Sequence, residues 1–345
     1  MIVFYLLIGT VSVVGNFVVL FVVYKSKQLR HSQYVYKCSI AVSDIIWGFS
    51  MSYCFMFFCI RLLGFDSVHL LERNGFKNKI KVNTAENNIT TFKYQLEHVK
   101  LMTLSIYKYI SLFNNYVMYV LLFLTPVTIL VSFISLLFAS IDRYVALTFP
   151  FKYKQLNTIK IAKMVSIFVW SLSAIVNTVT LILSLRSHYW SIFLQPVVLG
   201  PPDGNYSSNQ NTTAVILYIL FSLLWIFTFL TLFSMYKSFK RSSSLNKNTK
   251  KRVSLEKRMS LILIFMVVAF TFSLFPTIYF NVHLYLDLEL KSANRKSPND
   301  TFLDESSFFV SVAFLTTNSV WNFVIYNILN KKFREAVIKV CFKRT

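Results

Sequence analysis

The sequence predicts an all-α membrane protein, a seven-transmembrane helix bundle closed by a short amphipathic eighth helix, and three observations predict it. The first is composition: 55% of the 345 residues are hydrophobic and only 14% are charged, where soluble domains run at about 45–50% and about 25%. A water-soluble globule with this balance would be apolar over its whole surface. A disordered chain would carry far less Phe, Leu and Ile. The second is seven apolar stretches, at about 2–24, 35–62, 115–147, 160–184, 213–236, 258–285 and 307–329. Each approaches or exceeds the roughly 20 residues that cross a bilayer core about 30 Å thick as helix. Helix follows because lipid offers no partner to an open strand edge. The third is the distribution of a formal net charge of +22. With the amino terminus outside, the inner loops and tail hold 24 of the 36 Lys and Arg, Lys37 among them, and the acids Asp142, Glu256 and Glu335. The positive-inside rule then favours that orientation.

Taken in order, the first span starts at Met1 and runs without a small-residue cleavage site into Lys25-Ser26-Lys27, so it reads as a signal anchor. A first outer loop of about 64–114 follows the second span and is long for a connection. Its later half spaces Phe92, Leu96, Val99, Met102, Ile106, Tyr109 and Phe113 as the apolar face of an amphipathic helix. That helix lies on the membrane, caps the bundle, extends the third helix, or is an insertion without a task. The sequons at Asn88, Asn205, Asn211 and Asn299 all fall in outer loops, which makes them glycosylation candidates. The seventh span, with Thr316, Thr317, Asn318 and Asn322, is the least oily and should face its neighbours. The tail 331–342 sets Phe333, Val337, Ile338, Cys341 and Phe342 against Lys331, Lys332, Arg334 and Lys339, which suits an interfacial helix on an anionic leaflet. Cys341 is a palmitoylation candidate or an inert thiol. No inverted repeat divides residues 1–345, which read as a single domain.

Polar groups at membrane depth are costly, about 2.5–3.5 kcal/mol on insertion scales, so each is a functional candidate. Asp44 in Ser39-Ile40-Ala41-Val42-Ser43-Asp44 is the only acid deep in a span. It is either a cation or proton site or a hydrogen-bonded structural acid. The third helix ends in Asp142-Arg143-Tyr144, with Pro150 and Tyr153 beyond. Taken alone, Arg143 could be a snorkelling flank residue. The sixth helix starts near Glu256 and carries Pro276, which bends a membrane helix and frees a carbonyl.

These residues resemble the rhodopsin-like (class A) G-protein-coupled receptors over nearly the whole chain. The likeness rests on Gly15-Asn16, Leu29-Arg30, Asp44, Asp142-Arg143-Tyr144 with Pro150, Trp170, Phe270 with Pro276, Asn322-x-x-x-Tyr326, and Phe333 in the tail. The resemblance implies a switch toward a heterotrimeric G protein made of Asp142, Arg143, Tyr144, Glu256, Tyr236, Asn322 and Tyr326. An ionic latch between Arg143 and Glu256 would hold the resting state, or else Glu256 pairs with nearby Lys on an exposed helix start. It implies no cofactor beyond a candidate sodium ion at Asp44, Ser132 and Asn318, since hard cations prefer oxygen donors. It implies a ligand pocket lined by Thr125, Ile129, Thr277, Asn281, Val312 and Thr316, or else these pack between helices.

The departures from the family pattern are definite. Met118 and a second outer loop without Cys remove the usual outer disulfide. Leu274 replaces the sixth-helix Trp, Thr228 the fifth-helix Pro and Phe323 the seventh-helix Pro. Thr125 stands where amine receptors carry an Asp, which argues for a peptide or non-amine small molecule. The expected partners are a G protein, that outer ligand, membrane lipids and arrestin, the last relying on Ser242, Ser243, Ser244 or Ser254. Nucleic acid is not among them, and the expected place is the plasma membrane. A decoy or dimer partner that does not couple is the alternative. A channel or transporter would show more charge at depth than Asp44, and no cluster with catalytic or metal spacing suggests an enzyme.

Overall fold

The computed structural model describes residues 2–73, most of 116–186, single positions between 222 and 236, 258–279 apart from 278, and 298–342. Within these the chain is helical. The elements are α1 (Ile2–Lys25), α2 (Ser32–Arg73), α3 (Phe123–Ala146), α4 (Pro150–Gln155), α5 (Thr158–Arg186), α6 (Arg258–Thr277), α7 (Pro298–Leu329) and α8 (Lys331–Val337). A wider turn, Ile338–Phe342, continues α8. The described positions of the fifth span, among them Trp225, Thr228 and Phe229, are also helical. The loop helix expected near 92–113 lies outside the described residues, as do Met118, Glu256, Asn281, Asn88, Asn205, Asn211 and the serines of the third inner loop.

Beside an apolar core, many buried positions are polar, and many exposed positions are large and apolar, unlike a soluble protein. In α1 the inward residues include Ser12 and Asn16, while Leu7, Val11, Val14, Phe17 and Phe21 are exposed. In α5 Ser173 and Asn177 are buried, and Ile161, Met164, Ile167, Phe168 and Ile175 face out. Lipid is as apolar as these side chains, so small and polar residues gather where helices meet. Five helices among the described residues are long and apolar enough to cross a membrane: α1, α3, α5, α6 and α7. In α2, Ser39, Ser43, Asp44 and Ser50 are buried among the other helices.

α2 is the chief neighbour of α1 and also meets α5 and α7. Two glycines let α1 and α2 approach closely. A Cβ on Gly9 would come within 2.8 Å of the Gly48 carbonyl oxygen, and one on Gly48 within 2.9 Å of Ser12 Oγ. Ser12 also donates to the Asp44 carbonyl (3.0 Å), and Asn16 Nδ2 donates to the Ser319 carbonyl (3.1 Å), which joins α1 to α7. Trp170 donates to Ser39 (3.1 Å), and Ser39 meets Ser135 at 3.3 Å, so α5, α2 and α3 share one polar contact. Beside it lies an aromatic cluster: Phe133 has its ring centroid 5.2 Å from Trp225 and 5.6 Å from Phe270.

Two helices overrun their apolar stretches, and one charge is placed differently. α2 starts at Ser32 and runs to Arg73 rather than ending near 62. α7 begins at Pro298 rather than 307, which puts Asn299 in its first turn instead of a loop. Apolar windows mark only the part of a helix that must match lipid, and hydrogen bonding continues the helix past it. Pro298 suits the first helical position, where its missing N–H is no loss. The charge is Lys37, counted above with the inner loops although it falls within the stretch 35–62. It lies inside α2 and is only 7% exposed.

Candidate functional site

Two polar clusters stand out in the bundle. The first gathers at the end where α3 stops. Arg143 and Asp142 are joined by a charge-assisted bond, Nη2 to Oδ2 at 2.6 Å, with both side chains at most 10% exposed. Arg143 Nη2 also donates to Tyr153 Oη at 2.9 Å, and Tyr153 donates to both carboxylate oxygens at 3.1 Å. Ser32 donates to Asp142 Oδ2 (3.1 Å) and meets Tyr153 at 3.0 Å. With its amide turned oxygen-first, Gln33 accepts from Arg143 Nη1 at 2.9 Å. Pro150 begins the short α4 that carries Tyr153 to this point. Burial pushes the Tyr153 phenol above its ordinary range, so it stays a neutral donor. The start of α2, the end of α3 and α4 are thus tied through one acid.

The second cluster lies deeper. Asn322 Nδ2 on α7 donates to Asp44 Oδ2 at 3.0 Å. Asp44 shares a small cavity with Trp47, Thr128, Ser132, Phe270 and Asn318. Ser132 is bonded to Ser43 at 2.7 Å, and Asn318 Oδ1 is buried with no hydrogen-bond partner. A carboxylate, a hydroxyl and an unused amide oxygen around one cavity are the donor set a hard monovalent cation takes, so these residues fit sodium.

Tyr326, near the end of α7, is buried with its ring edge-on to Tyr34 (6.0 Å) and Phe333 (5.1 Å). Asn330 caps α8 by accepting from the Phe333 N–H at 3.2 Å, which fixes α8 beneath α7. Arg258, at the start of α6, donates to the Leu329 carbonyl at 3.0 Å. Tyr144 is half-buried and Tyr236 is exposed.

The residues expected to line a ligand pocket are placed differently from one another. Ile129 borders the Asp44 cavity. Thr125 and Thr316 are buried and turn their hydroxyls to their own helices, at Leu121 (2.6 Å) and Val312 (2.8 Å). Thr277 and Val312 are also buried. At the departures, Leu274 is 2% exposed and Thr228 is buried, and the Phe323 ring covers Gly15, where a Cβ would come within 2.8 Å of it. Cys341 is exposed beyond α8.

Lys37 is the residue that sequence reasoning missed. A Lys seven residues before a span's central acid was a usable signal, because that spacing keeps both on one helix face. It puts a Lys in the α2 interior two turns from Asp44, although no row of charges leads from it across the bundle among the described residues.

The family model of the 7 transmembrane receptor (rhodopsin family) matches residues 98–326, about two thirds of the chain, from before α3 to Tyr326. The chain belongs to that family. It is a multi-pass membrane protein of a receptor family whose members are not enzymes. No curated protein matches the chain. In this rhodopsin-family receptor, the match covers Asp142-Arg143-Tyr144 and Asn322-x-x-x-Tyr326, while Asp44, Lys37 and α8 lie outside it.

Proposed function

We propose that this receptor binds an extracellular non-amine ligand, a peptide or small molecule, and activates a heterotrimeric G protein from the plasma membrane. Its amino terminus faces outward, and the Arg143 end of the bundle faces the cytoplasm. The observation that carries this reading is the buried Asp142–Arg143–Tyr153 cluster, which keeps a cation poised where α2, α3 and α4 meet. An Arg held by its own neighbour can be released without unfolding a helix. Glu256, two residues before Arg258 in the sequence, is the second partner proposed for it, as a latch that closes the cytoplasmic mouth. A mouth-exposed pair contributes about 1 kcal/mol, while taking a two-state switch from 1:99 to 99:1 needs about 5.5 kcal/mol, so the latch is one contact among several. An agonist acts by binding the open state better than the closed one. Asp44, Ser132 and Asn318 would hold a sodium ion, which would supply a positive charge to the resting bundle. Arrestin is proposed to follow phosphorylation of the third inner loop, and Asn88, Asn205, Asn211 and Asn299 to carry glycans.

The test is a screen of peptides and non-amine metabolites on cells that express the receptor with a promiscuous Gα and a calcium readout. A ligand response that Arg143→Ala abolishes at equal surface expression supports the reading. Ligand binding without a response from any Gα class would favour the non-coupling decoy, for which Leu274 and Phe323 are the motivating departures.

A further inference from the structure

Lys37 is a buried basic group that the receptor mechanism above leaves without a task. Its Nζ lies 3.3 Å from the Asn322 carbonyl oxygen, 3.2 Å from Met266 Sδ and 4.4 Å from the Tyr326 ring centroid. All three partners are electron-rich and carry no formal charge, which suits an ammonium ion. All three come from α6 or α7, so one α2 side chain touches both helices. Asn322 also gives its side-chain amide to Asp44 at 3.0 Å. It therefore touches both groups, with its main-chain carbonyl oxygen toward Lys37 Nζ and its side-chain N–H toward Asp44. Lys37 and Asp44 are two turns apart on α2, about 10 Å along the axis. Charges that close are poorly screened in a buried layer. The cavity with Ser132 and the unpartnered Asn318 Oδ1 also borders Asp44.

We propose that Lys37 is a resident cation of the bundle: it balances Asp44 through Asn322, ties α2 to α6 and α7, and weakens the hold of the Asp44 cavity on sodium. This rests on the sodium reading above and deepens it. A sodium ion entering the cavity meets a carboxylate whose charge is already partly answered, and a fixed ammonium that repels it. The helix contacts that sodium would otherwise favour are then held by a covalently attached charge.

The experiment is thermal unfolding of the purified full-length receptor in detergent, with NaCl titrated against N-methylglucamine chloride at constant ionic strength. Lys37→Met keeps the length of the side chain and removes the charge. It should lower the half-saturating sodium concentration by about tenfold relative to wild type. Adding Asp44→Asn to Lys37→Met should abolish the sodium response. Lys37→Arg should behave as wild type, and Lys37→Gln serves if the Met variant does not fold. A wild-type response left unchanged in Lys37→Met overturns the proposal and leaves the sodium reading standing. No response in either protein overturns both. A Lys37→Arg receptor that titrates like Lys37→Met also overturns the proposal, because side-chain shape would then govern sodium rather than charge.

Discussion

The two polar clusters solve the same problem in different ways. At the Arg143 end, the cation and its anion are neighbours in sequence, and Tyr153 and Ser32 complete the acid's contacts. In the deeper layer, Lys37 and Asp44 are separated along α2, and Asn322 on another helix stands between them. In the first arrangement, the Asp142–Arg143 pair itself lies within α3 and does not depend on α7, although Ser32 of α2 and Tyr153 of α4 complete its contacts. The second exists only when α7 sits where it does against α2, so its free energy depends on bundle geometry. The Arg143 cluster therefore keeps its ion pair without α7, while the inner layer holds together only when α2, α6 and α7 are in place.

Substitutions should separate the two. The largest effect is expected from Asp44→Ala, which strips Asn322 of its acceptor and leaves Lys37 unbalanced. Removal of one member of a buried charged set costs about 3–5 kcal/mol, visible as a lower unfolding midpoint in detergent. Arg143→Ala should cost less, about 2 kcal/mol in the same assay, because Tyr153 and Ser32 still donate to Asp142. A larger loss than for Asp44→Ala would reverse the comparison. Glu256→Ala should shift the resting equilibrium by about 1 kcal/mol, roughly fivefold in ligand-free signalling at matched surface expression. Unchanged basal signalling counts against a latch. The smallest effect belongs to Glu335→Ala on α8, whose 3.8 Å contact with Lys331 is well exposed. A change above about 0.5 kcal/mol there would show that α8 does more than its surface pair suggests.

Much of the fold was legible because lipid imposes a length and a polarity on each helix. α1 and α5 fall close to their apolar stretches, and α3 and α6 lie within theirs over the described residues. α2 and α7 overrun theirs, since their ends are set by hydrogen bonding and not by lipid. The association of Asp142, Arg143 and Tyr153 was legible in part, because a helix end, Pro150 and a short turn bring them close in the chain. The approach of Gly9 to Gly48, the Phe323 ring over Gly15 and the convergence of Lys37 with Met266, Asn322 and Tyr326 were not. Each joins residues far apart in the chain, and nothing local marks which face of one helix will meet which face of another.

By itself, the sequence determined that this chain lives in a membrane as a bundle of helices, and which of its residues could not sit in lipid. The tertiary structure decided where those residues went. The cost of an exposed charge in lipid can be read from one residue at a time. The contact that relieves the cost belongs to a pair, and the pair exists only once the helices have packed.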